Sequence, residues 1–294
     1  MDDSALSGPE MPDVGQASRP VHPSPGSDPM GPAVEGAPSV DDSPELHAPP
    51  VEQALVPDPP SHSREPVWGY FDLLIFIGLS IPCMLAGFGV VKLTMWVLNL
   101  HPAVATWELL AEQLAGYGVL FAALAALLRA QYHRPFWPSL GWVDPHLPFF
   151  RIVTYGVALA ITLGLLGNLI RIPQVDNPLT KLLKDPTSMI LIAVFGSIVA
   201  PVCEELLFRG FLQPLLVRSL GAWLGIFATA LPFGLLHYQE YGNSWRHVLL
   251  ITLSGVAFGA IRQSTGSTKA AAGLHAAFNG FQFVALIAAK SYHP

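Results

Sequence analysis

The sequence V-C-E-E-L-L-F-R-G, residues 202–210, places two acids and an arginine inside a long apolar run that extends from Met189 to Val217. An ionised side chain at the centre of a membrane helix costs roughly 2.5–3.5 kcal/mol on insertion scales, so three such groups facing lipid would be strongly unfavourable. We therefore expect Glu204, Glu205 and Arg209 to face protein or a polar cavity.

Helix geometry separates the two acids. Glu205 and Arg209 are four residues apart, which puts them on one helix face with the acid before the base, the favourable order. Glu204 is turned by about 100° from its neighbour. We predict that Glu205 pairs with Arg209 and that Glu204 is left over. A spare carboxylate inside a membrane helix bundle is a candidate functional group.

Composition divides the chain near Pro66. Residues 1–65 contain twelve acidic residues and two arginines, and 15 of the 28 prolines occur up to Pro66. A segment with so few apolar side chains cannot bury enough surface to offset its chain entropy, so we predict a disordered, acidic, proline-rich tail over residues 1–66. It lacks the basic and apolar pattern of a signal peptide.

The remainder, residues 67–294, reads as one membrane domain. Apolar runs of about 20 residues alternate with short polar pieces, the pattern of a multi-pass helical membrane protein. We predict an all-α, polytopic bundle of about seven transmembrane helices. The predicted spans are about Tyr70–Leu98, Ala105–Leu128, Phe149–Ile170, Met189–Val217, Ala222–Tyr238, His247–Ile261 and Ala270–Ala289.

The orientation of the bundle follows from the basic residues at the ends of the spans. Eight Lys and Arg residues fall on the side shared with the tail and six on the other side. The positive-inside rule therefore favours a cytoplasmic tail. We expect the lipid bilayer to surround the bundle, and we expect no nucleic-acid partner.

Two later spans carry polar side chains at helical spacing. Phe233 and His237 are four residues apart on the fifth span, and His275 and Asn279 are four apart on the seventh. The second span also carries acids, Glu108 and Glu112, which we predict to line the same cavity.

The expected depths of these groups agree only in part. A turn at residues 219–221 makes the fourth and fifth spans a hairpin, and it puts Glu204 and His237 at about 24 and 26 Å from that turn. His275 lies only about 15 Å from its own turn on the same side. The difference is absorbed if the hairpin extends past the membrane surface.

These groups suit the hydrolysis of a peptide bond. A carboxylate beside an imidazole can take a proton from water, and a second imidazole with a carboxamide can donate hydrogen bonds to the oxyanion that forms. Alternatively, Glu204, His237 and His275 could hold a zinc ion with one open coordination position. A non-hydrolytic proton-coupled transporter and a membrane binding or scaffold protein are the competing interpretations.

The three motifs, taken in order, resemble those of a known family. E-E-x-x-x-R at Glu204–Arg209, F-x-x-x-H at Phe233–His237 and H-x-x-x-N at His275–Asn279 are similar to the motifs of the CPBP intramembrane proteases. That family includes type II CAAX prenyl endopeptidases and Abi-like proteins. The resemblance covers about residues 187–290.

The resemblance implies a set of roles. Glu204 would be the general base, helped by His237, while His275 and Asn279 would form the oxyanion hole. Structural support would come from Glu205, Arg209 and Phe233. The family's members often have eight membrane helices, and the resemblance allows either zinc or another divalent metal as cofactor or a metal-free glutamate mechanism. It also implies a membrane-associated peptide or protein substrate, such as a lipidated CAAX-like one, in a bacterial-type cell membrane.

Overall fold

The computed structural model describes residues 66–173, 175 and 181–292, and the regular elements within these ranges are helices. The predicted disordered tail lies outside the described residues, apart from Pro66. The helices are α1 Tyr70–Val97, α2 Ala105–Tyr132, the short α3 Phe136–Ser139, α4 Phe149–Leu169, α5 Pro186–Leu220, α6 Ala222–Leu236, α7 Trp245–Thr265 and α8 Thr268–Tyr292.

Six of these helices are long and apolar enough to cross a membrane: α1, α2, α4, α5, α7 and α8. Helix α6 is apolar but has only 15 residues. The predicted all-α, polytopic architecture of about seven segments is confirmed. Within the described ranges, no apolar helix of ten or more residues exists besides these seven.

Helix α5 is interrupted twice by π-helical turns, at Phe195–Val199 and Leu206–Leu212. Each stretch ends two residues before a proline, Pro201 or Pro214. Proline has no N–H to bond the carbonyl four residues earlier, so the helical ladder must rearrange there, and single π-helical turns are frequent at functional sites. The α-helical turn between the two stretches, Ala200–Glu205, carries the two acids.

Close packing brings the later helices together around α5. Helix α4 packs against α8, where a Cβ built on Gly156 would lie 2.6 Å from the carbonyl oxygen of Leu274. Helix α6 packs against α7, where a Cβ on Gly234 would lie 2.2 Å from Thr252 Oγ1. A larger residue at Gly156 would push α8, which carries His275, away from α4. A larger residue at Gly234 would push α6, which ends at His237, away from α7.

The loop after α3 sets the height of α8. The Thr268 hydroxyl donates to the carbonyl of Leu140 at 2.6 Å, and the Thr268 amide donates to the carbonyl of Gly141 at 2.8 Å. Leu140 in turn packs on Gly210, where a Cβ would lie 3.0 Å from the leucine Cβ. Helix α8 therefore starts level with Gly210, so the α5–α6 hairpin extends about 15 Å beyond it. Glu204 lies six residues, about 9 Å, from Gly210, and His275 lies seven residues, about 10 Å, from Thr268, so the two side chains reach similar depths.

Candidate active site

The four predicted catalytic residues line one cavity. Glu204 from α5, His237 at the end of α6, and His275 and Asn279 from α8 border a space of about 630 Å³. This volume lies within the usual range for small-molecule and peptide sites, about 300–1,000 Å³. The structure therefore brings together side chains that are up to 75 positions apart in the sequence, from Glu204 to Asn279.

The two neighbouring acids occupy different environments. The Glu204 side chain is 21% exposed, and its Oε2 lies 3.9 Å from Nε2 of His275. Glu205 is fully buried, and its Oε1 accepts a hydrogen bond from Nη1 of Arg209 at 3.0 Å. The ion pair predicted from the spacing is thus present, and the other acid borders the cavity.

The Arg209 guanidinium is held from several sides. Its Nη2 donates to the carbonyl of Gly255 on α7 at 2.8 Å. Its Cζ lies 4.6 Å from the ring centroid of Phe233 and 5.4 Å from that of Phe258. Aromatic faces attract such a cation, so Phe233 packs on the ion pair as well as lying beside His237.

The His275 ring is buried and doubly constrained. The ring of Phe258 stacks on the imidazole, with centroids 4.3 Å apart and planes at 22°. Its Nδ1 lies 2.9 Å from Oε1 of Glu205. Sequence reasoning paired Glu205 with Arg209 alone and missed this second contact, because helical spacing carries no information about partners on another helix.

His237 is held by its own helix. Its Nδ1 lies 2.8 Å from the carbonyl oxygen of Phe233, one turn earlier. Since a carbonyl only accepts, Nδ1 carries the hydrogen, and Nε2 of the neutral ring keeps its lone pair. The ring can therefore accept a hydrogen bond from a water in the cavity.

Asn279 ties α8 to the first π-helical turn of α5. Its Nδ2 donates to the carbonyl of Gly196 at 2.8 Å. A carboxamide nitrogen has two hydrogens, so one of them is used by this bond and the other can serve a ligand.

Beyond the four predicted catalytic residues, six polar residues border the cavity: Gln113, Glu240, Tyr241, His247, Ser254 and Gln282. Tyr241 lies four residues after His237, with ring centroids 6.5 Å apart, and continuing the helical spacing past the end of α6 would have found it. Burial and the charges of Glu240 and Glu204 raise the pKa of Tyr241 to about 12.

The prediction for the acids of α2 is wrong. Glu108 and Glu112 pair with Lys92 of α1, with Glu112 Oε1 at 3.2 Å from Nζ, and neither acid borders the cavity. The residues of α2 that do border it are Leu109, Leu110 and Gln113. The two acids occupy the face of α2 that packs against α1 instead.

The alternative zinc site is not assembled. Within residues 66–173, 175 and 181–292, no three His, Cys, Asp or Glu side chains are grouped closely enough to hold a metal ion. The candidate ligands Glu204, His237 and His275 therefore do not fit a three-residue site in this arrangement.

The segment that carries the four predicted catalytic residues also matches a known protein family. Residues 186–281 match the family Type II CAAX prenyl endopeptidase Rce1-like. The match spans about a third of the 294 residues and contains all three motifs. No curated protein and no solved structure matches the chain. The expected resemblance is confirmed for this segment, and it suggests an integral membrane protease that acts on a membrane-associated substrate.

Proposed function

We propose that this protein is an intramembrane endopeptidase in which Glu204 activates water to hydrolyse a peptide bond of a membrane-associated protein or peptide. The observation that carries the proposal is the shared cavity, which Glu204, His237, His275 and Asn279 border together within an apolar helix bundle. The match of the same segment to an endopeptidase family supports this choice of reaction.

Glu204 is the proposed general base. A base must come within hydrogen-bonding reach of the water that it deprotonates, and Glu204 is the acid of the pair that borders the cavity. His237 assists by accepting from the same water at Nε2, since its Nδ1 hydrogen is engaged by the carbonyl of Phe233. The water then needs only to lie between these two side chains.

Two side chains of α8, Asn279 and His275, are proposed to stabilise the oxyanion. Asn279 offers the second hydrogen of its amide nitrogen, and the bond to Gly196 holds that nitrogen in place. His275, when its ring is protonated, offers Nε2–H, and this nitrogen lies 3.9 Å from Oε2 of Glu204. Each such donor, when removed, typically costs about 10²–10³-fold in rate.

The substrate is proposed to be apolar near the bond that is cut, and a lipidated, CAAX-like sequence is one such substrate. The support is the remaining wall of the cavity, where most of the side chains are aliphatic or aromatic, including Leu109, Leu163, Phe195, Phe283 and Leu286. Apolar walls with a few convergent polar groups are typical of sites that bind by burying apolar surface.

The test is cleavage of quenched fluorescent peptides, with and without a lipid anchor, by the purified protein in detergent, with the products identified by mass spectrometry. We expect one new carboxyl end with the native chain and none with Glu204→Gln. Glu108→Gln is the matched control, because it removes a carboxylate from a membrane helix away from the cavity. A parallel chelator titration checks whether turnover needs a metal.

Full turnover by the Glu204→Gln variant would contradict the proposal. So would Glu204-dependent proton transport by a native protein that cuts none of the peptides, since that result belongs to a transporter.

A further inference from the structure

Glu205 uses a single carboxylate oxygen for two partners. Its Oε1 accepts from Nη1 of Arg209 at 3.0 Å and lies 2.9 Å from Nδ1 of His275. Both acid and arginine are fully buried, and the imidazole is 4% exposed. A chain of contacts therefore runs from the Gly255 carbonyl through Arg209 and Glu205 to His275.

A carboxylate oxygen beside a ring nitrogen decides where the ring hydrogen sits. The ionised carboxylate can only accept, so the nitrogen that it contacts must donate. We propose that Glu205 is a positioning residue that fixes the His275 hydrogen on Nδ1, so that Nε2 is the one ring nitrogen that exchanges a proton with Glu204 and the substrate. The catalytic meaning of this assignment rests on the function proposed above.

The surroundings prevent the ring from turning over. Phe258 stacks on one face of the imidazole, and Phe233 meets it edge to face with centroids 5.9 Å apart. Arg209 in turn anchors Glu205 through the carbonyl of Gly255. A rotated ring would lose the 2.9 Å contact and leave a buried carboxylate oxygen with one partner fewer, which is costly in an apolar site.

The assignment changes the role of His275 in the proposed reaction. A neutral ring with its hydrogen on Nδ1 has only a lone pair at Nε2, so it cannot donate to an oxyanion. It becomes a donor after it takes up a proton. Glu204 removes a proton from water as the water oxygen bonds to the carbonyl carbon, and the proton then passes to His275 Nε2.

The remaining steps return both side chains to their starting states. The His275 imidazolium donates to the oxyanion, and it gives the proton to the leaving nitrogen as the carbon–nitrogen bond breaks. Glu204 is again a carboxylate and His275 again neutral, and the products are a carboxylic acid and an amine. Glu204 and His275 thus carry one proton in turn. Glu205 keeps the neutral His275 ring in the tautomer with its hydrogen on Nδ1.

The first measurement needs no substrate. Protein labelled with ¹⁵N in its ten histidines is compared with His275→Gln, so that the His275 ring signals are obtained by difference. The nitrogen chemical shifts separate protonated from unprotonated ring positions. We expect Nδ1 protonated and Nε2 unprotonated for His275 in the neutral ring.

Two variants then separate positioning from simple charge balance. Glu205→Leu combined with Arg209→Leu removes both buried charges together, so neither is left unpaired and the fold is retained. It also removes the acceptor for Nδ1. We expect mixed tautomers, and a kcat that falls by about 10²–10⁴-fold, as when a misplaced ring hydrogen disables a catalytic histidine. Glu205→Gln keeps a carbonyl oxygen and is expected to retain the native tautomer.

Three results would overturn the inference: a native His275 with its neutral hydrogen on Nε2, a doubly substituted protein with native kcat, or a Glu205→Gln protein with mixed tautomers. If the protein cleaves no peptide at all, the proposed function fails while the tautomer measurement still decides the role of Glu205.

Discussion

Two clusters in this bundle combine two acids with one base, and they differ in whether the base pairs with both acids or with one. Between α1 and α2, Lys92 faces both Glu108 and Glu112. Within α5, Arg209 pairs with Glu205 only. The first cluster is therefore paired throughout, whereas the second leaves Glu204 at the cavity.

Burial explains why the two clusters are built differently. The Lys92 side chain is 46% exposed and lies five residues before the end of α1. Arg209 and Glu205 are fully buried, so each of their polar atoms depends on protein partners. A charged side chain near the end of a membrane helix is common, whereas a charged side chain buried in the middle of the bundle indicates a candidate functional site.

The largest expected effect follows from removing the leftover acid. Glu204→Gln should lower kcat by about 10²–10⁴-fold, the contribution typical of a general base, while the fold is unchanged. The same substitution at Glu108 should leave turnover within experimental error, because that acid is outside the cavity. Steady-state cleavage of the fluorescent peptides measures both, and equal losses at the two positions would remove the distinction between the clusters.

Removing the base should affect stability unequally in the two clusters. Arg209→Met leaves the Glu205 carboxylate buried without its cation, which should cost about 3–5 kcal/mol. Lys92→Met acts at an exposed pair and should have a far smaller effect. Thermal unfolding in detergent, followed by intrinsic fluorescence, compares them. Similar losses of stability would show that burial does not separate the two clusters.

The carboxamide at the cavity sharpens the comparison further. Asn279→Ala removes the proposed oxyanion donor and the bond to Gly196, and kcat should fall by about 10²–10³-fold with little change in KM. Asn279→Asp tests the donor specifically, since it keeps the size but offers no N–H when ionised. An Asn279→Asp protein with native kcat would contradict the assignment.

The smallest effect is expected from the tyrosine near His237. Because the pKa of Tyr241 is raised to about 12, its hydroxyl stays almost entirely neutral between about pH 6 and 10 and contributes no step to a rate profile measured over that range. Tyr241→Phe should therefore leave the shape of that profile unchanged. Loss of either limb of the profile in the variant would show that Tyr241 titrates with the site.

The sequence predicted what depends on local spacing. The seven apolar segments, the pairing of Glu205 with Arg209 and the shared face of Phe233 and His237 all follow from helical periodicity and from the cost of exposing charge to lipid. These features need no knowledge of which helices are neighbours.

What the sequence did not predict depends on neighbours. The common face of Glu108 and Glu112 on α2 predicts that both border one cavity, but that face packs on α1 and meets Lys92. The height of α8 depends on the contacts of Thr268 and Gly210 with Leu140, in a loop that has no recognisable pattern. The contact between Glu205 and His275 likewise crosses from one helix to another.

The central claim, that Glu204 and His275 act on the same reaction from one cavity, is tested most directly by a double-mutant cycle on kcat/KM. Glu204→Gln, His275→Gln and the double variant are compared with the native protein on one peptide. The structure predicts strongly non-additive effects, with the double variant about as slow as the slower single variant, because both residues serve one step. Effects that multiply independently would place the two residues in separate roles and contradict the account.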